Sequence, residues 1–173
     1  MLNSFRMLSI MIVLSVVLYG CGTKAGTSVI VGYSGFDNAR TVSIAPHANA
    51  KDTGLGAQWN AAHPDSALLI VAVWWQYVSI TEAELNIDGE KISLTPISGS
   101  TTDFSATVNG QIKLSTRAFG TNIATVKKIV ASKRTWLRIH TPSGYIEDAV
   151  IDGAQDSKAY NALIRFIAAV EEK

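Results

Sequence analysis

Two histidines and two aspartates between residues 47 and 65 are the first candidates for chemistry. This stretch is rich in Ala, Asn and Gly, and we interpret it as a long irregular loop that carries His47, Asp52, His63 and Asp65. Imidazole and carboxylate groups within hydrogen-bond reach of each other can move protons during hydrolysis. The loop is therefore a candidate hydrolytic site, on the condition that these side chains converge in one cleft.

The same stretch contains the tripeptide Asp52-Thr53-Gly54, which aspartic proteases use at their active sites. Their chemistry needs two carboxylates that share a proton, and the chain has one copy of the tripeptide, preceded by Ala50 and Lys51 rather than by an apolar strand. We interpret it as a surface turn.

The sequence predicts neither a metal site nor a cofactor. The three histidines, His47, His63 and His140, are 16 and 77 residues apart, whereas zinc sites usually include a pair of ligands a few residues apart. Cys21 is the one cysteine in the chain, so a thiolate cluster is excluded.

Five basic residues lie between positions 127 and 138 with no acidic residue among them, and acidic residues follow from position 147 onward. One interpretation is a patch that faces anionic lipid headgroups or a polyanionic partner. The other, which we favour, is a helix and a hairpin whose charges pair across the surface, each pair contributing little stability. The residues are Lys127, Lys128, Lys133, Arg134 and Arg138.

Three aromatic residues, Trp74, Trp75 and Tyr77, lie in the second half of the apolar segment 66–80. They could form a platform for a glycan or a peptide. Adjacent residues of a strand point to opposite faces, so at most one tryptophan faces a given groove. We interpret them as core residues.

The elements that carry these residues are mostly strands. Residues 66–80 are apolar on both strand faces, which predicts a central strand covered on both sides. Hairpins are predicted around Asp88-Gly89 and Asn109-Gly110 and across 141–144, because these residues suit tight turns. The predicted strands and hairpins are 28–33, 40–46, 66–80, 83–96, 103–119 and 134–151.

Helical spacing of apolar residues appears twice, near 121–132 after a cap at Thr121, and near 156–171 after a cap at Asp156 or Ser157. Hairpins followed by two helices predict the α+β class, with an antiparallel sheet and both helices packed on one face. A β-sandwich with peripheral helices is the alternative.

The amino terminus reads as an export signal. Arg6 precedes an apolar run from Met7 to Tyr19, which is shorter than the roughly 20 residues that span a bilayer. The run ends in Leu18-Tyr19-Gly20-Cys21, which resembles the lipobox of bacterial lipoproteins except that Tyr19 is bulky. The resemblance covers about the first 22 residues. It implies cleavage before Cys21, acylation of Cys21 and, with Gly22 next, retention at the outer membrane.

On this interpretation, residues 1–20 are a removed signal peptide, 21–27 are the lipidated cysteine and a short linker, and 28–173 form a single α+β domain. Removal of Arg6 leaves 14 basic and 14 acidic residues, a balance that does not favour nucleic acid as a partner. The domain also has no further cysteine.

Two functions follow as expectations. The first is a non-enzymatic envelope lipoprotein that faces the periplasm, held in the lipid bilayer by acylated Cys21, and that binds an envelope protein or a cell-wall component. The second is a small periplasmic hydrolase that uses the His47–Asp65 loop. The inner or cytoplasmic membrane, with the anchor on its outer side, is the alternative location.

Overall fold

The computed structural model describes residues 28–106 and 111–172, which form two antiparallel sheets and two helices around a shared core. The predicted α+β class is confirmed. The predicted signal peptide, Cys21 with its linker, and the Asn109-Gly110 turn lie outside the described residues.

Sheet A has seven strands, with β4 between β3 and β9. Both β7 and β8 pair with the outer edge of β9. The strands are β1 (Ile30–Tyr33), β2 (Arg40–Ala48), β3 (Thr53–Asn60), β4 (Ser66–Trp74), β7 (Thr95–Pro96), β8 (Asp103–Ala106) and β9 (Lys113–Asn122).

Sheet B has five strands in the order β12-β11-β10-β5-β6. Its hairpin turn at Asp88-Gly89 was predicted and is confirmed, with both residues at positive φ, as a tight hairpin requires. The strands are β5 (Glu82–Ile87), β6 (Glu90–Ser93), β10 (Arg134–Thr141), β11 (Gly144–Asp152) and β12 (Gln155–Asp156).

The predicted central strand is present as β4, but it differs from the prediction in two ways. Leu69, Val71 and Val73 are buried, while Leu68 and Ile70 on the other face are half-buried, so β4 is not fully covered on both sides. The strand also ends at Trp74, because the next residue has a φ of 72°, which a strand cannot accommodate.

The prediction of an irregular loop over 47–65 is wrong, because this segment contains β3, an internal strand of sheet A. The sequence of β3 is rich in small residues for a packing reason. A Cβ on Gly54 would lie 2.1 Å from Cη2 of Trp74, and one on Gly56 would lie 2.6 Å from the carbonyl oxygen of Ile44. Side chains at these positions would collide with the covering indole and with a bulge in β2.

The two helices match the prediction to within two residues, as α1 (Ile123–Ala131) and α2 (Lys158–Glu171). Ser157 is the predicted cap of α2, whereas α1 is capped by Asn122, whose side chain accepts a 2.6 Å bond from the amide of Ala124. Helix α2 buries Leu163 and Phe166 in the core beside β2 and β3. Neither helix of the described chain has the length and apolarity to cross a bilayer.

Candidate functional site

The four candidate residues of the 47–65 segment lie at two different places. His47 is level with Leu55 on β3, whereas His63 follows the far end of this strand at Asn60. Five residues of strand separate Leu55 from Asn60, which is about 17 Å. His47 is buried and its Nδ1 lies 2.8 Å from the carbonyl oxygen of Ala45, while His63 is exposed in the turn after β3.

The two aspartates are divided in the same way. The main chain of Asp52 bonds to Trp74 at the His47 end, and that of Asp65 bonds to Ile123 at the His63 end. Both carboxylates are exposed. The convergence that the hydrolase hypothesis requires is therefore missing for His47, Asp52, His63 and Asp65.

The tripeptide Asp52-Thr53-Gly54 begins β3 and its middle residue is buried. The Thr53 hydroxyl donates a 2.9 Å hydrogen bond to the carboxylate of Asp148 on β11. The amides of Lys51 and Thr53 donate to the same carboxylate at 3.0 and 3.2 Å. The interpretation as a free surface turn is thus wrong for Thr53, because the tripeptide joins sheet A to sheet B.

The basic residues of 127–138 are mostly compensated by acidic partners, as the favoured interpretation predicted. Lys127 pairs with Glu171 at 2.7 Å and Lys128 with Glu90 at 3.1 Å. Arg134 pairs with Asp152 at 3.2 Å. Of the five, Lys133 makes no ion pair within residues 28–106 and 111–172.

The remaining basic residue, Arg138, belongs to a row of side chains on the outer face of sheet B. Alternate residues of β10 share one face of the sheet, and here these residues are large and polar or aromatic. The register places Glu84 of β5 and Glu147 of β11 on either side of Arg138. The row on β10 is Arg134, Trp136, Arg138 and His140.

Arg138 is held between the two carboxylates. Its Nη1 donates to Oε1 of Glu84 at 2.9 Å and its Nε donates to Oε1 of Glu147 at 2.6 Å. These bonds, that of Glu147 foremost, raise the pKa of Arg138 above its ordinary value. The pKa of the Glu84 carboxyl is lowered, first by its hydrogen bond to His140 and then by Arg138. The His140 imidazole lies 3.1 Å from the same Glu84 oxygen that Arg138 contacts. Arg138 and Glu84 therefore favour each other's charged form, and both are charged at neutral pH.

Aromatic rings flank this network. His140 and Tyr145 form a cross-strand pair, and the Arg138 guanidinium lies 5.0 Å from the centre of the exposed Tyr145 ring. Arg134 lies 5.7 Å from the centre of the half-buried Trp136 ring. Trp136 and Arg138 line a depression of about 350 Å³, together with Asn86 and Lys91. We call this surface the Arg138 face and define it by Glu84, Trp136, Arg138, Tyr145 and Glu147.

A second depression, of about 510 Å³, lies on sheet A beside the turn that carries His63. Apart from the histidine, its polar lining is hydroxyl and amide groups, including those of Thr41, Ser43, Gln58 and Asn60. Trp59 also lines it, and its indole N–H donates to the carbonyl oxygen of Pro64 at 3.0 Å. This bond fixes the turn, and the depression carries no second ionisable group.

The described part of the chain holds no group of three or more His, Cys, Asp or Glu side chains placed to bind a metal ion. In the sequence, Arg138 is recognisable only as part of a basic patch, and neither Glu84 nor Trp136 stands out as a candidate. The available signal was the alternation along 134–140, which predicts one face of a strand. The pairing of β10 with β5, which are far apart in sequence, has no local signal.

Comparison with protein-family models, with curated proteins and with solved structures finds no match to this chain.

Proposed function

We propose that this chain is a lipid-anchored envelope protein whose domain acts as a non-enzymatic binding or assembly module. In this proposal Cys21 is acylated and holds the domain at the periplasmic face of the outer membrane. Anchorage on the outer side of the inner or cytoplasmic membrane is the alternative location. The partner is an envelope protein that contacts the Arg138 face.

The membrane anchor is supported by the sequence around Cys21. The apolar run that precedes it is too short to span a bilayer and ends in a lipobox-like Leu18-Tyr19-Gly20-Cys21. Two or more acyl chains anchor a protein stably, since each buried CH₂ contributes about 0.8 kcal/mol.

The single observation that supports binding is the composition of the Arg138 face. Trp, Tyr and Arg are the residues most enriched among binding hot spots. Here Trp136 and Arg138 line one depression on an open sheet, and the Tyr145 ring lies against the Arg138 guanidinium. Arg138 is already aligned by Glu84 and Glu147. A partner therefore meets an ordered guanidinium and loses less side-chain entropy on binding.

A protein is favoured over a cell-wall glycan because of the charges on this face. Alternating acids and bases give a surface that a partner can match with the opposite pattern, which supports specificity and association rate. A neutral saccharide gains little from such a network. A cell-wall component is retained as an outcome of the experiment below.

Photo-crosslinking in intact cells tests the proposed surface. A photoreactive residue at Tyr145 is expected to capture a discrete protein, whereas the same residue at the exposed Phe36, in the turn between β1 and β2 of the other sheet, is not. Arg138→Ala should reduce the yield from position 145 several-fold, and Lys133→Ala serves as the matched control. Capture of cell-wall fragments, or equal yields from positions 145 and 36, would contradict the proposed protein partner.

A further inference from the structure

Three aromatic side chains are exposed at one end of sheet A, and the expectation that Trp75 and Tyr77 are core residues is wrong. Trp75, Tyr77 and Phe104 have relative exposures of 60%, 50% and 53%. The rings of Tyr77 and Phe104 meet edge to face at 5.7 Å, and Nζ of Lys113 lies 5.6 Å from the centre of the Tyr77 ring. We call these four residues the aromatic end.

Trp75 is held there in an unfavourable backbone conformation. Its φ is 72°, a region that costs an L-residue about 1–2 kcal/mol relative to the right-handed conformation. Its amide is fixed by a 2.8 Å bond to the carbonyl oxygen of Lys113. A bulky, exposed side chain at such a position points to a role beyond the stability of the fold.

The direction of β1 relates this end to Cys21. Ile30 pairs with Ser43 and Tyr33 with Arg40, so the chain enters β1 from the side of sheet A on which the aromatic end lies. Continuing the β1 register two residues back from Ile30 places Ser28 beside Ala45 of β2. On the neighbouring strands, Gly56 of β3 and Ile70 of β4 are paired at about the same level.

Measured along the strand direction alone, the entry point is close to the level of the aromatic end. Trp75 lies five residues beyond the level of Ile70, which is about 16 Å along the strand direction. The linker from Cys21 to Thr27 has seven residues and can reach about 25 Å when extended. An acylated Cys21 can therefore enter a bilayer that the aromatic end touches.

We propose that the aromatic end rests in the headgroup region of the bilayer that holds the acyl anchor, and so fixes the orientation of the domain. This inference rests on the acylation of Cys21 in the proposed function. Trp and Tyr are enriched where apolar and aqueous regions meet, and Lys can extend its ammonium to the headgroups. The contact makes the anchor a two-point attachment, and the opposite end, with His63 and the β1–β2 turn, faces away from the bilayer.

The charges at this end favour no particular lipid headgroup. Lys51 and Lys113 are balanced by Asp52 and Asp103, which are exposed in the same region. Electrostatic attraction to anionic lipid is thus small, and burial of aromatic surface supplies the interaction. Zwitterionic phosphatidylcholine should be sufficient.

The test uses the full lipidated protein, extracted from membranes and reconstituted in phosphatidylcholine vesicles. If the thiol of Cys21 is acylated, a cysteine introduced at exposed Gln76 is a unique site for a nitroxide label. Gly35→Cys is the matched control at the opposite turn, where a Cβ meets no atom within 4 Å. We expect collisions of the label with an aqueous nickel complex to be several-fold lower at position 76 than at position 35.

A second variant separates the membrane contact from folding. Trp75→Gly relieves the positive φ and is expected to fold at least as well, yet it should raise collisions at position 76 towards the level at position 35. Tyr145→Ser, which removes an exposed aromatic residue from sheet B, should leave them unchanged.

The possible outcomes distinguish the claims. Equal aqueous exposure of both labels, or immersion of position 35 alone, overturns the inference. Spin–spin broadening at position 76 that disappears on dilution in lipid identifies a second copy as the occupant and also overturns it. An intact mass that shows unmodified Cys21 instead overturns the proposed function on which the inference rests.

Discussion

The carboxylate of Asp148 on β11 and the hydroxyl of Thr53 on β3 are joined by a 2.9 Å hydrogen bond in the interior of the domain. Asp148 is 1% exposed and also accepts from the amides of Lys51 and Thr53. Thr53 in turn accepts a 2.8 Å bond from the side-chain amide of Asn49. Sheets A and B are thus connected by a buried polar group as well as by apolar packing.

Loss of the Asp148 carboxylate is expected to destabilise the domain. Asp148→Ala leaves two amides and a hydroxyl without their acceptor, which lowers the free energy of unfolding by about 2–3 kcal/mol. Urea denaturation followed by circular dichroism measures the change. Asp52→Asn is the matched control, because Asp52 is exposed and directly precedes Thr53 in the chain. A similar loss of unfolding free energy in both variants would refute the assigned role of Asp148.

Gly54 is expected to tolerate no side chain. A Cβ there would lie 2.1 Å from the Trp74 ring and 2.4 Å from the carbonyl oxygen of His47. Gly54→Ala should therefore reduce the free energy of unfolding by about 2 kcal/mol or more. Thermal melts of both variants measure the change. Gly35→Ala should be close to wild type, because a Cβ at position 35 meets no atom within 4 Å. An undisturbed Gly54→Ala variant would show that the indole does not cover β3.

Arg117 is predicted to fix two loops against the inner face of sheet A. Its guanidinium donates to the carbonyl oxygens of Ile80, Thr81 and Ser100 at 2.7, 2.8 and 3.0 Å. Lysine cannot reproduce this planar set of donors, so Arg117→Lys should cost about 1–3 kcal/mol of stability. Arg165→Lys provides the comparison, because this guanidinium makes one exposed hydrogen bond, to the carbonyl oxygen of Asn161 on the same helix. Equal chemical-denaturation midpoints for the two variants would contradict the prediction.

The Glu84 carboxylate should make the domain sensitive to acid. His140 and then Arg138 lower its pKa in the folded state below the ordinary value of about 4.5. The unfolded state then binds more protons, so this stabilisation is present above about pH 4.5 and is lost as the pH falls through the folded pKa. The contribution is modest, up to about 1 kcal/mol, for a pair that is partly exposed.

Glu84→Gln should therefore lower stability at pH 7 and have a progressively smaller effect in acid, as measured by melting temperature from pH 7 to pH 3. Glu82→Gln on the same strand is the control. A deficit in Glu84→Gln that stayed constant across this pH range would assign the effect to packing rather than to charge.

The hairpins and helices could be predicted from the sequence because their signals are local. Asp88-Gly89 supplies the positive φ angles that its turn requires, and Ser157 caps α2 as its position suggests. Strand β3 could not be recognised, because the small size of Gly54 and Gly56 is explained by Trp74 and by the bulge in β2. These neighbours are brought there by tertiary pairing rather than by local sequence.

The candidate sites, like strand β3, depend on tertiary pairing that local sequence does not reveal. His47 and His63 are 16 residues apart in sequence, yet an extended strand between them carries them to opposite ends of sheet A. The Arg138 face depends on the pairing of β10 with β5, which local patterns do not encode. The exposure of Trp75 could not be foreseen, because β4 ends one residue before it at a backbone angle that the sequence does not announce.

Acylation of Cys21 can be tested by the intact mass of the protein purified from membranes, followed by sequencing of its amino-terminal peptide. We expect a chain that begins at Cys21 and carries a diacylglyceryl thioether, with Cys21→Ser appearing as unprocessed precursor or released from membranes. A mature chain that begins elsewhere, or an unmodified Cys21 in protein still retained by membranes, would contradict it.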